Sequence, residues 1–246
     1  MEGKKCTLIL LILSFVMFSI TAQYKSEVYR AYINNQMSSW KSVIDKMQQE
    51  TNQSDESLLE LINYQYGYIG WCLGNDEKKQ AKSYLKLAQD NLANLEKRSY
   101  NPSYINAYKS AFYGFSIGLN KLKAPFTGPK SIDAAKHSMK EDASNPYGFI
   151  QYGNAQFYMP PIFGGSKSEA LLYYHQAENI MLENPSNLQE DWNYLSLLVN
   201  IADAYTEMKE YDKAEEYFKQ ILEVEPNFNW VKNELYPDFI KKRNNE

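Results

Sequence analysis

One pattern in the chain has the residue types for nucleophilic catalysis. Gly114-Phe115-Ser116-Ile117-Gly118 has the G-x-S-x-G spacing that holds a serine hydroxyl on a sharp strand-to-helix turn. A base and an orienting acid would have to follow it, and Asp133 and His137 do so in the right chain order. They lie four residues apart on one expected helix, which leaves the base no independent orienting group. Residues 103–113 ahead of the serine also read as helix, so the strained turn that activates the hydroxyl is missing. The motif therefore predicts no hydrolase and no catalytic residue.

Metal and phosphate chemistry have less support. The two histidines, His137 and His175, belong to no HExxH and to no Cys/His cluster. Adjacent carboxylates such as Glu190-Asp191 and Glu215-Glu216 diverge on a helix and read as solvated charge. Gly164-Gly165-Ser166-Lys167 lacks the earlier glycine of a phosphate loop. No metal and no cofactor are expected. Asn52-Gln53-Ser54 has the N-x-S glycosylation spacing and reads as a polar turn.

The amino terminus reads as an export signal over residues 1–22. Lys4 and Lys5 precede an apolar run at 8–18, broken only by Ser14, and Ala22 is a small residue suited to cleavage. The run is shorter than the ~20 residues of a membrane span, so no stable membrane anchor is expected. Cys6 precedes the apolar run, where a lipid-attachment cysteine would follow it. The expected location is the periplasm or the exterior. Without residues 1–22 the chain has 24 basic and 29 acidic residues, a net −5. That acidity, with no basic stripe, argues against nucleic acid as a partner. Cys72 is then a lone cysteine among apolar neighbours, which predicts a buried, inert thiol and no internal disulfide.

The elements that would position any site are helices, because apolar residues recur at three and four throughout. Residues 26–50 place Tyr29, Ile33, Met37, Trp40, Ile44 and Met47 on one stripe. Asn101-Pro102 and Asn145-Pro146 each pair a capping Asn with a proline at the first helical position. Ser166-Lys167-Ser168-Glu169 is a capping box, and Pro237 should end or kink the last helix. The 21 tyrosines are expected mostly to pack between helices, each sending its hydroxyl to a partner.

The clearest periodicity lies at the C-terminal end. Leu198, Ile201, Ala202, Tyr205, Ala214, Phe218, Ile221 and Pro226 fall at the offsets of a 34-residue helix-turn-helix unit. Residues 195–228 thus resemble the tetratricopeptide repeat (TPR) family. The resemblance implies an all-α fold, a right-handed α-solenoid of TPR-like antiparallel helix pairs, occupying residues 23–246. Ala81, Ala134, Ala170 and Ala214 stand at the second-helix position of successive pairs, 53, 36 and 44 apart instead of about 34. The spacing therefore predicts pairwise stacking with an irregular superhelix. Pro160-Pro161-Ile162-Phe163-Gly164-Gly165, followed by a capped helix with Ala170 and Ala177, also resembles exported bacterial TPR proteins, including the periplasmic type associated with TRAP transporters.

The resemblance implies a non-catalytic, exported scaffold for an unidentified protein or peptide. The alternative is a periplasmic small-ligand or glycan binder associated with an uptake system. Two connections read as longer than a repeat needs, residues 123–130 and 158–165, each joining the two helices of its own pair. Equivalent turns of stacked repeats share one edge, and insertions there often form a binding face. Phe126, Tyr158 and Phe163 are accordingly the candidate binding ridge. The competing expectation is that Phe126 and Phe163 plug gaps between irregular repeats.

Overall fold

Asn35 takes a left-handed backbone (φ 54°), which breaks the expected stripe over residues 26–50 into two helices. Asparagine tolerates that conformation better than most residues. The computed structural model, which describes residues 22–245, thus begins with α1 (residues 22–33) and α2 (Met37–Gln48). Residues 1–22, read above as an export signal, lie outside the described part apart from Ala22. Tyr29, Ile33, Met37, Trp40, Ile44 and Met47 are all buried, so the stripe marked the core correctly while the break was missed.

Four antiparallel pairs follow. They are α3 (Asp55–Gly74) with α4 (Lys78–Lys97), α5 (Pro102–Leu119) with α6 (Ala124–Glu141), α7 (Pro146–Tyr158) with α8 (Lys167–Leu182), and α9 (Trp192–Glu207) with α10 (Tyr211–Val224). The caps are those the sequence implies. The side chains of Ser54, Asn101, Asn145 and Ser166 each accept an amide hydrogen at the start of α3, α5, α7 and α8. Each pair packs on the next, and the first helices α3, α5 and α7 also touch one another. This is an all-α solenoid of consecutive pairs. Among the described residues no strand occurs, and no helix is long and apolar enough to cross a membrane.

Small residues set the contacts within pairs. Ala81, Ala135, Ala170, Ala202 and Ala214 are fully buried, so helix backbones approach closely there. Elsewhere tyrosines fill the space and donate to carboxylates on neighbouring helices, as Tyr84 does to Asp45 (2.5 Å) and Tyr29 to Glu225 (2.8 Å). Ser110 and Ser131 join α5 to α6, Ser131 Oγ donating to the Ser110 carbonyl at 2.8 Å. Gly114 meets no neighbouring helix, so the small-residue face expected along Ser110, Gly114 and Gly118 is only partly used.

One sequence expectation fails locally. Residues 124–130 are not a turn. They form the first turns of α6, with Pro125 at its start and Pro129 inside, after a single 3₁₀ turn at Lys121–Lys123. Pro125 loses little there, because the first amides have no partner within the helix, whereas Pro129 gives up one intrahelical hydrogen bond. Of the two outcomes expected at Pro237, an end to the last helix is not the one found. A π-helical turn, Val231–Leu235, leads into α11 (Tyr236–Asn244), and Pro237 falls in its first turn.

The solenoid curls until its ends meet. The Tyr32 ring on α1 lies 4.9 Å from Phe228, beyond α10, and 5.8 Å from Trp192 on α9. Asn229 Nδ2 donates to Asn34 Oδ1 at 2.9 Å, and Ser26 Oγ to Glu190 at 2.5 Å. One continuous apolar core runs from Val28 to Phe239.

Candidate functional site

Closure brings the first helices of the pairs together, and half of their inner face becomes a buried plug. Asn63 on α3 is its hub. Its Nδ2 donates to Tyr108 Oη on α5 (2.8 Å) and to Asn193 Oδ1 on α9 (2.9 Å). Its Oδ1 accepts from Trp192 Nε1 at 3.0 Å. Trp40 and Trp192 pack edge to face at 4.9 Å, and Trp40 Nε1 donates to the Tyr64 carbonyl at 3.0 Å. Beside the plug remains a cavity of about 10 Å³, lined in part by Tyr66, Tyr147, Ser196 and Asn200, with room for about one water molecule.

Toward the C-terminal ends of α7 and α9 the inner face opens. Asn154 Nδ2 reaches Tyr66 Oη (3.4 Å), and Asn154 Oδ1 accepts from Tyr174 (2.8 Å). Beyond them stand Tyr158, Asn200, Asp203 and Glu207, of which Tyr158, Asp203 and Glu207 are open to water. Burial by the surrounding protein, then Glu207, pushes the Asp203 carboxyl up to about 6. Burial, then Asp203 and Tyr66, pushes Tyr158 up to about 12. With Tyr66 and Asn154 they make a polar and aromatic patch at this end of the inner face. Lys167 closes one side, with Nζ on the Phe157 carbonyl (2.5 Å) and over the Phe157 ring (3.5 Å); Lys242 holds Glu207 at 3.0 Å.

The sign of the Asp203 shift gives a stability test. An acid raised on folding contributes fully below its ordinary value of 3.8, and that contribution fades as the pH climbs through about 6. Asp203→Asn should therefore melt above the wild type at about pH 8 and converge with it below about pH 4. A variant that melts lower at about pH 8 would place the carboxylate in a stabilising pair instead.

The three ridge residues divide between two surfaces. Tyr158, 73 % exposed, stands in that patch, whereas Phe126 and Phe163 stand on the adjoining edge, 79 % and 73 % exposed. Side chains that open do not plug gaps between repeats. The Phe163 turn is rigid. Gly164 has φ +96°, and a Cβ on Gly165 would fall 1.8 Å from the Met159 carbonyl oxygen. Both sites therefore demand glycine.

The remaining candidates resolve simply. Ser116 lies inside α5, without the strand-to-turn geometry of a nucleophile, and Asp133 and His137 are exposed on α6. The Cys72 thiol is buried and pushed up to about 11 by that burial. No group of three metal-binding side chains occurs among the described residues. His175 was legible only as a surface or packing residue. It contacts Tyr205 Oη at 2.9 Å and buried Glu178 at 3.2 Å, while Tyr217 Oη donates to Glu178 at 2.9 Å. Glu178 lies three residues on along α8, but Tyr205 and Tyr217 come from α9 and α10, and local spacing gave no signal for them.

Antiparallel pairs around a shared inner face, joined at buried alanines, define a helical-repeat protein, and the C-terminal pair is a tetratricopeptide repeat. Residues 196–228 match the tetratricopeptide repeat family. Among solved structures the chain is similar to the HusA haemophore from Porphyromonas gingivalis. The TM-score is 0.61 at 14 % identity, covering 76 % of this chain and 93 % of that one. At that identity the likeness is one of fold. No curated protein matches the chain in sequence.

Proposed function

We propose that the protein is an exported, non-catalytic binding protein that takes a small, flat, largely apolar ligand of the porphyrin class at the open end of its inner face. The observation that carries this reading is the patch at that end. There an exposed tyrosine ring, Tyr158, stands beside Tyr66, Asn154 and Asp203, while the rest of the inner face is filled. The fold shared with a haemophore supports the ligand class. The test is a titration of the purified protein with haem and with metal-free porphyrin, followed by absorbance. Saturable binding is expected, weakened about tenfold in Tyr158→Ala through loss of the ring contact. Absence of saturation with either compound would end this reading.

A second reading, the scaffold for a protein or peptide, is favoured by the repeat at 196–228, since α9 lines the same opening with Asn200, Asp203 and Glu207. Solenoids commonly bind along their inner surface. Here the plug around Asn63 leaves such a partner only the open end. Capture of one protein from an envelope extract, lost in Asp203→Lys while porphyrin fails to bind, would favour it.

A further inference from the structure

We propose a second interaction surface, the edge formed by the α5–α6 and α7–α8 connections, which docks on an anionic lipid bilayer. α5 and α7 are both first helices of their pairs and pack on one another, so their C-terminal ends and the connections that follow lie at the same end of the molecule. Of the eight large apolar side chains that are exposed among the described residues, five belong to these two connections. Tyr158 belongs to the patch described above, and the other four are Leu122 (84 %), Phe126, Ile162 (86 %) and Phe163. Fractions this high belong to side chains standing proud of the surface. A small molecule needs concavity to be covered, and these tips provide none. The backbone beneath them is stiffened by Pro125, Pro129, Pro160 and Pro161 and by the constrained Gly164-Gly165 turn.

The charge on this edge identifies the occupant. The whole chain is net −4, yet no Asp or Glu occurs at 97–132 or at 143–168. Lys121, Lys123 and Lys130 are exposed there, and no ion pair involves them among the described residues. Lys123, Phe126 and Lys130 fall three and four apart, so the two ammonium groups flank the ring on one helical face. Lysine is depleted at the centres of protein–protein interfaces. It is favoured around apolar groups that enter a bilayer surface, where the ammonium meets lipid phosphate. Apolar tips ringed by unpaired lysines on an acidic protein therefore fit an anionic membrane better than a protein.

Co-sedimentation with vesicles of phosphatidylcholine alone, or mixed with phosphatidylglycerol, tests this with the purified protein. Binding is expected to the mixed vesicles, to weaken as salt rises, and to be absent from phosphatidylcholine alone. Replacing Lys121, Lys123 and Lys130 together by Gln should weaken binding by about 100-fold, since each lysine near an anionic surface contributes about fivefold. Replacing Phe126, Ile162 and Phe163 together by Ser should weaken it at least about tenfold. Both variants should melt like the wild type, because all six side chains are exposed. The lysine variant should keep any porphyrin titration, so this proposal and the ligand reading fail separately. No binding to mixed vesicles at low salt, equal binding to both compositions, or unaffected variants would each overturn the proposal. So would a captured protein that needs Phe126 and Phe163 when vesicles do not bind.

Discussion

Asn63→Ala should destabilise the protein by about 3–5 kcal/mol in urea unfolding, the largest loss expected from a single polar side chain here. Asn63 is buried and meets partners on two other helices, at positions 45 and 130 residues away. Its removal leaves Trp192 Nε1 without an acceptor, and strips Tyr108 Oη and Asn193 Oδ1 of a donor. Each such buried group costs about 1–3 kcal/mol, and the lost volume adds a cavity. Asn63→Leu restores volume but not the hydrogen bonds, so it should recover only a small part. A loss below about 1 kcal/mol in both variants would mean that water reaches the plug and satisfies the orphaned groups. Because the hub ties α3 to α5 and α9, the denaturant slope of a merely loosened ring should fall as well.

Gly67→Ala should cost about as much through overpacking instead of lost hydrogen bonds. A Cβ built on Gly67 would lie 2.5 Å from one Trp40 ring atom and 2.7 Å from a Trp192 ring atom. Neither ring can move freely. Trp40 is held by its bond to the Tyr64 carbonyl and Trp192 by its bond to Asn63. Overpacking a well-filled core typically costs about 1–3 kcal/mol, and two anchored rings place this substitution at the upper end. The contrast is Gly114→Ala on α5, where an added Cβ meets nothing within 4 Å. There the better helix propensity of alanine should stabilise by several tenths of a kcal/mol, up to about 1. Thermal melts of the two variants side by side check the assignment. Equal melting temperatures would mean that the Trp40–Trp192 pair is free to separate.

The sequence by itself determined what local chemistry determines. Helix starts were readable because a capping side chain and its amide target are two or three residues apart, as at Asn101, Asn145 and Ser166. Core faces were readable because burial follows the 3.6-residue period, as along Tyr29 to Met47. The repeat at 196–228 was readable because Ala202 and Ala214 sit where one helix pair must close on itself, a contact within a single unit. The exposure of Phe126 and Phe163 was legible as one of two outcomes, and solvent access in the folded chain decides between them.

Only the tertiary structure decided how far the solenoid curls. Curl is a sum of small rotations between pairs, and each depends on side chains from two helices far apart in sequence. Asn63, Tyr108 and Asn193 carry no local mark of being partners, and neither do Tyr32 and Phe228. A buried Asn looks like any polar residue until closure removes water from around it. The patch at Asp203 arises the same way. Its carboxyl is shifted by protein mass from α9 and its neighbours, with Glu207 one helical turn away and Lys167 and Lys242 far along the chain. Local spacing specifies helices and pairs; the inner face exists only once the two ends have met.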